Sequence, residues 1–334
     1  MRVSVIGAGV AGLSCALELN ARGATVEVLE RAPQLGTASC SWFAGGMLAP
    51  WCERESSPPV IAELGAEGLA WWREHFTGTV ANGTLVVAHA RDTGELLQFG
   101  RRTAHFENLS AEAIAALEPE LAGRFSHGLY FSAEGHLDPR AALAALSARL
   151  AERGVPIRFG VNTAPRGAGA VLDCSGLAAR TRLPDLRGVK GEMLLLRLPE
   201  LQLNRPVRLL HPRMPLYVVP RGQGIFMVGA TMIESDEATR ISARSMLELL
   251  SAAYALHPAF GEAQIIEIGT GVRAAFPDNL PRLRHVGGSL HVNGLYRHGF
   301  LLAPALARRA AGVLLEGHSY PEVMDEDPGE RRLA

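Results

Sequence analysis

Three glycines spaced as Gly7-x-Gly9-x-x-Gly12 directly follow the apolar run Val3-Ser-Val-Ile6 and open a segment of helical periodicity that runs to about Ala21. Between a strand and a helix, the first glycine permits a tight turn, the second lets the backbone approach a pyrophosphate, and the third lets the helix lie close to the strand. The amides of Val10 and Ala11 would then face phosphate charge at the helix start. Glu30 closes a second apolar run 18 residues after Gly12. A carboxylate there can accept from ribose hydroxyls and opposes a 2'-phosphate, so FAD or NAD fits and NADP does not. A different chemistry attaches to Arg273, which ends the largely apolar run from Ile265 to Val272 beside Gly271. Its planar guanidinium can hold the carboxylate of an α-amino acid with two parallel charge-assisted hydrogen bonds.

The elements that must position these groups follow from periodicity. The opening reads as strand, turn, helix and strand, and residues 32 to 57 read as a long loop of small residues without clean periodicity. Pro58-Pro59 starts a helix carrying Ile61, Leu64, Leu69 and Trp72. Gly83 to Ala88 reads as a strand, Ser110 caps a short helix halted by Pro119, and Asp138-Pro139 opens a strong helix ended by Gly154. Strands at 155 to 159 and 170 to 174 continue the first pattern, with Gly176 just beyond.

From Gly188 to Arg273 strands separated by turns predict a mostly antiparallel sheet, with one helix near 242 to 256. The end returns to the first pattern, with a strand at Leu290 to Asn293, a turn from Gly294 to Gly299, and a helix from Phe300 to Leu315. The expected fold class is therefore α/β plus α+β. A discontinuous Rossmann-like dinucleotide lobe takes 1–80, 136–187 and 274–320, the substrate lobe takes 81–135 and 188–273, and 321–334 form a flexible tail. A helix starting near Phe300 would aim its amides and positive dipole end into the site before it.

Composition narrows the partners. Lys and Arg number 33 against 34 Asp and Glu, so no net field draws the chain to nucleic acid or an anionic membrane. At 334 residues two lobes are expected. The cysteines at 15, 40, 52 and 174 have neither a CxxC nor a Cys/His ligand spacing. No metal site is expected, and reduced cytoplasmic thiols fit best. Glycines at 7, 9 and 12 and Glu18 interrupt the only run that imitates a signal peptide, and no stretch reaches the roughly 18 apolar residues of a membrane span.

The opening, the loop Trp42-Phe-Ala-Gly-Gly-Met-Leu-Ala-Pro50, the segment from Tyr217-Val-Val-Pro-Arg221 to Gly229-Ala-Thr-Met232, and Gly294-Leu-Tyr-Arg-His-Gly-Phe-Leu-Leu-Ala-Pro304 resemble the D-amino-acid oxidase superfamily. Within it the resemblance is closest to the glycine oxidases of thiamine biosynthesis, and it runs from Met1 to about Leu315. It implies FAD, bound noncovalently because the flavin loop has no histidine, and amine oxidation by dioxygen. Cofactor contacts are implied at Glu30, Arg31, Cys40, Ser41, Gly45, Gly46, Met47, Val161 and Gly176, and at Leu295, Tyr296, His298, Gly299, Phe300 and Leu301. Tyr217, Arg273 and Arg297 would meet the substrate carboxylate, with Met47 and Met232 as apolar walls.

The implied reaction is oxidation of glycine to the imine with release of hydrogen peroxide, feeding thiazole formation. A D-amino-acid or N-methyl-amino-acid oxidase or dehydrogenase is the alternative. Bulky Trp42, Phe43 and Met232 are expected to leave little room beyond the α-carbon. A homo-oligomer and a hand-off to a thiazole synthase are implied as well.

Overall fold

Six strands form one sheet in the order 282–286, 289–293, 170–173, 2–6, 25–30, 157–159, drawn from three separate stretches of the chain in this computed structural model. The structure describes residues 1–325 apart from 37, 162, 165, 166, 168, 212–214 and 238. Five of these strands run parallel to a neighbour, from Ser289–Asn293 through to Thr25–Glu30 and on to Ile157–Phe159, and the hairpin strand Arg282–Val286 is antiparallel. Parallel strands need crossover connections, which the helices Val10–Ala21 and Pro139–Glu152 help to supply. Val3, Val5, Leu13, Val28, Leu172 and Leu306 are fully or almost fully buried in the core of this lobe.

The last helix, Gly299–Glu316, carries Pro304 in its interior. Proline has no N–H to give the carbonyl four residues earlier. Trp72 supplies the missing donor, its Nε1 reaching the Phe300 carbonyl at 2.7 Å. Gly68 permits the contact between helices, since a Cβ there would stand 1.9 Å from the Leu301 oxygen. The helix Pro59–His75 thus holds the start of Gly299–Glu316 in place beside the site.

A second sheet of nine strands draws on 84–131 and 187–275. It is antiparallel except where Val207–Leu210 runs parallel to Thr84–Ala88. Its long pair, Arg187–Arg197 with Gln264–Ala275, carries Arg273 opposite Val189. The helix Ala243–Leu256 covers this sheet, begun by the Ser242 hydroxyl, which accepts from the Ser245 amide. The Ser110 and Asp138 caps form as the residue types require, accepting from Ala113 and from Arg140 and Ala141 respectively.

Several elements differ from the sequence expectation. The segment 32–57 is not one loop: it contains a 3-10 turn at Cys40–Phe43, the strand Met47–Leu48 and the helix Pro50–Glu53. Met47–Leu48 pairs with Gly135–His136, a tertiary contact that no local pattern encodes. The helix Thr93–Arg102 and the strands Glu107–Ser110, His127–Phe131 and Val207–Leu210 also lie outside the expected set. The tail does not fray at Pro321. Val323 is 1% exposed and its carbonyl accepts from the Leu283 amide at 2.7 Å; the rest of the expected tail, 326–334, lies outside the described residues.

Candidate active site

The glycine turn has the geometry its spacing demands. Gly7 has φ +97°, and a Cβ there would lie 2.8 Å from the Cys174 carbonyl oxygen. At Gly12 a Cβ would come within 1.9 Å of the Gly7 oxygen, so the helix can sit this close to the turn only without a side chain. The helix has no side-chain N-cap from Gly9 and no acidic residue in its first turn, so its positive dipole end is not neutralised from within the helix. Ser41 Oγ accepts from the Val10 amide at 3.3 Å, and Ser39 Oγ from the Ser41 amide at 3.2 Å, which brings the Cys40–Phe43 turn against Gly9. Cys40 itself is a free, exposed thiol.

Glu30 does more than end a strand. Its Oε2 accepts from the Ala8 amide at 2.7 Å and its Oε1 from Ala32 at 2.9 Å, so it braces the glycine turn. A carboxylate has about four lone-pair sites, which leaves capacity for ribose hydroxyls. Arg31 beside it is exposed, and the Val161 amide donates to the Glu30 carbonyl at 2.9 Å. Gly176 lies just after the neighbouring strand, with φ +61° and nothing within 4 Å of a Cβ position. These residues thus gather at the carboxyl ends of adjacent parallel strands, where open α/β sheets bind nucleotides.

A solvent-open cavity of about 110 Å³ lies between the last turn and helix of the first lobe and the second sheet. Gly45, Gly46 and Met47 line it from the small-residue loop, and Arg297, His298, Gly299, Phe300 and Leu301 from the last turn and helix. Tyr217, Met232 and Arg273 line it from the second sheet. The Arg221 guanidinium fixes the loop, donating to the carbonyls of Leu137 at 2.6 Å and Gly45 at 2.8 Å. Gly45 has to be small: a Cβ would meet Tyr217 Cε2 at 2.8 Å. Burial raises the Tyr217 phenol above its usual range against the opposing charge of Arg273. It is therefore a hydroxyl donor at neutral pH.

Arg273 donates from Nη1 to the Thr231 carbonyl at 3.1 Å and has no carboxylate partner among the described residues. Leu295 and Tyr296 stand outside the cavity lining, and the Tyr296 hydroxyl reaches Met232 Sδ at 3.4 Å. Met232 is 51% exposed, so it sits at the mouth and does not form a closed wall. Trp42 and Phe43 do not line the cavity. Trp42 packs on Gly36 and carries the Arg140 guanidinium 4.9 Å from its ring centre, while Phe43 packs against Gly269. The expected narrowing of the pocket by these two aromatics is therefore wrong.

Two charged residues of the site escaped the sequence reading, Glu53 and Arg208. Glu53 ends the short helix Pro50–Glu53, whose Trp51 and Cys52 amides donate to Glu134 Oε1 at 2.9 and 2.7 Å. Its Oε2 lies 2.7 Å from Arg297 Nη2 and 2.8 Å from His298 Nε2, and its Oε1 lies 3.3 Å from Arg208 Nη1. Burial opposes ionisation of Glu53, yet Arg297, Arg208 and His298 together hold its carboxyl well below the usual range. Arg297 Nη2 also donates to Ser56 Oγ at 2.5 Å, so this arginine enters the site already engaged. Burial lowers His298, leaving it neutral near pH 7. Its Nδ1 is buried without a partner among the described residues.

Residues 2–312 match the model of the DAO family, FAD dependent oxidoreductase, and the chain belongs to that family. It is 56% identical over 324 residues to a putative thiamine biosynthesis oxidoreductase ThiO of Rhizobium etli, covering 96% of this chain and 99% of that one. A glycine oxidase of Pseudomonas aeruginosa is 28% identical over 94% of each chain. A bifunctional ThiO/ThiG protein of Nostoc is 28% identical over 96% of this chain and 53% of its own length. The crystal structure of a glycine oxidase from Bacillus cereus superposes with a TM-score of 0.80 at 23% identity, covering 95% of this chain and 96% of that one, and so shares the fold.

The enzyme's cofactor is FAD. The site fits it on three counts: a helix start behind the glycine turn with no acidic residue in its first turn, glycines at 45 and 46 where only backbone can lie, and the His298 Nδ1 in the cavity wall, buried without a partner among the described residues.

Proposed function

We propose that the enzyme oxidises glycine at its carbon–nitrogen bond to the imine, with hydrogen peroxide as the second product. The observation that carries this reading is the pairing of Arg273, a pocket guanidinium without a carboxylate partner among the described residues, with the protonated Tyr217 across from Gly45. Arg273 takes the substrate carboxylate through two parallel hydrogen bonds, and the Tyr217 hydroxyl donates a third. Among the described residues three arginines against one glutamate line the pocket, a positive balance that disfavours an ammonium and favours the neutral amine. Oxidation then removes a hydride from the α-carbon and a proton from nitrogen.

When bound, FAD takes up the two electrons and returns them to dioxygen as peroxide. Neutral His298 serves the cofactor wall and is not a required base. The residues proposed to hold FAD are Gly7, Gly9, Val10, Ala11, Gly12, Glu30, Ser41, Gly45, Gly46, Met47, Val161, Gly176 and the start of Gly299–Glu316. Orientation of the carboxylate is the protein's main contribution.

The 56% identity to a ThiO supports a place in thiamine synthesis, and the ThiO/ThiG chain of Nostoc supports a hand-off of the imine to a thiazole synthase. We assign the lobes as 1–80, 136–187 and 274–320 against 81–135 and 188–273, and expect a cytoplasmic homo-oligomer. Among the described residues no helix is long and apolar enough to cross a membrane. Anaerobic addition of glycine, sarcosine and D-alanine to the yellow protein tests the reading. Rapid loss of the flavin absorbance with glycine is expected. Bleaching by D-alanine or sarcosine alone would move the assignment to those substrates, and no bleaching by any would overturn amine oxidation.

A further inference from the structure

Among the described residues three guanidiniums line one cavity, those of Arg208, Arg273 and Arg297, and a single carboxylate stands among them. That carboxylate does not share itself evenly. One oxygen of Glu53 faces Arg208 at 3.3 Å and the other faces Arg297 at 2.7 Å, while Arg273 donates to the Thr231 carbonyl at 3.1 Å and has no carboxylate partner among the described residues. Glu53 arrives from the short helix Pro50–Glu53, Arg208 from a strand of the second sheet, and Arg297 from the turn before the last helix. None of the three was expected to be linked to the others. The Arg208 and Glu53 side chains are 16% and 12% exposed, so their pairing is largely out of water, where an unmatched charge is expensive.

We propose that Glu53 makes the enzyme selective for substrates with one carboxylate, by occupying the guanidiniums of Arg208 and Arg297 so that Arg273 alone remains for the substrate. A second carboxylate entering the cavity would have to share those two arginines with Glu53, and like charges at that range repel. Amines with one carboxylate escape this conflict. Dicarboxylic amines such as iminodiacetate meet it. Discrimination therefore comes from a repulsive group built into the wall as much as from the attractive clamp. Glu53 acts through its partners and is a positioning residue, and the inference rests on the proposed carboxylate role of Arg273.

The test uses two unreactive ligands, acetate and malonate, titrated into the FAD-loaded protein while its melting temperature is followed. The unaltered protein should bind malonate no more tightly than acetate. In Glu53→Gln, which keeps the shape and removes the charge, the malonate-to-acetate affinity ratio should rise by about tenfold or more, and oxidation of iminodiacetate relative to glycine should rise with it. A yellow, folded Glu53→Gln protein with an unchanged ratio would overturn the proposal.

Should that variant fail to fold, Glu53→Asp keeps the charge but is too short to serve both arginines, and roughly a threefold rise in the same ratio is expected, corresponding to partial release of one partner. An unchanged ratio in folded Glu53→Asp overturns the proposal equally. The acetate and malonate titration does not depend on turnover. A protein that no amine bleaches, yet whose ratio shifts as stated, would sink glycine oxidation and leave the role of Glu53 standing.

Discussion

Arg273 is the residue on which the proposed chemistry turns, because it combines a place in the cavity with the absence of a carboxylate partner among the described residues. Replacing it by glutamine removes a bidentate ionic contact, a loss of about 2–5 kcal/mol, or roughly 30- to 5,000-fold in kcat/KM for glycine. Both KM and kcat should suffer in steady-state assays, since the clamp binds the carboxylate and also orients the α-carbon. A kcat/KM within a few-fold of the unaltered enzyme would move the carboxylate site elsewhere. Arg273→Lys should recover only part of the loss, because an ammonium cannot present two parallel donors. Arg297 differs from Arg273 by its company, since Glu53 and Ser56 already take its donors.

At the level of elements, the helix Pro50–Glu53 is too short to be stable alone, and Glu134 holds it from outside by accepting from its first amides. Glu134 is fully buried, and burial raises its carboxyl from 4.5 to about 7. The folded state therefore keeps a proton that the unfolded chain releases near pH 4.5. The stability this contributes is complete below pH 4.5 and is lost as pH rises through 7, a swing of about 3 kcal/mol.

Glu134→Gln keeps an oxygen for the Trp51 and Cys52 amides and has no proton to lose. Melting temperatures from pH 5 to 8.5 should fall in the unaltered protein relative to this variant, and parallel curves would show that Glu134 does not titrate there. Because Glu53 sits at the end of the same helix, the arrangement of the active-site arginines depends on this buried carboxyl.

For the whole molecule, the candidate active site is a cavity lined by residues from both lobes. The guanidinium of Arg140, on a helix of the first lobe, grips Glu267 on the second sheet with bonds of 2.8 and 2.5 Å, and Arg221 ties the second sheet to the loop at Leu137 and Gly45. FAD lying along that seam should stabilise the folded protein as any ligand of the native state does. At a free FAD concentration about 100 times its Kd the gain is about 2.7 kcal/mol. Dialysis to the colourless form should lower the melting temperature, and added FAD should restore it in proportion to the logarithm of its concentration. A melting point indifferent to FAD would contradict a cofactor held at the seam.

Much of this was legible in the chain because it is local. Gly7, Gly9 and Gly12 have their meaning within a single turn, Asp138-Pro139 caps within three residues, and the run ending at Arg273 marks a strand by its own composition. The Met47–Leu48 strand was hidden because its partner is Gly135–His136, and Val207–Leu210 because it is short and pairs across the sheet with Thr84–Ala88. Glu53 looked like an ordinary acid since its partners stand 155 and 245 residues away.

By itself the sequence determined the glycine turn between a strand and a helix and the strand that carries Arg273, for these follow from residue type and short spacing. Only the tertiary structure decided which cavity arginine is left without a carboxylate partner among the described residues. Charge pairing depends on distance in space, and the chain brings Glu53 to Arg208 and Arg297 only by folding.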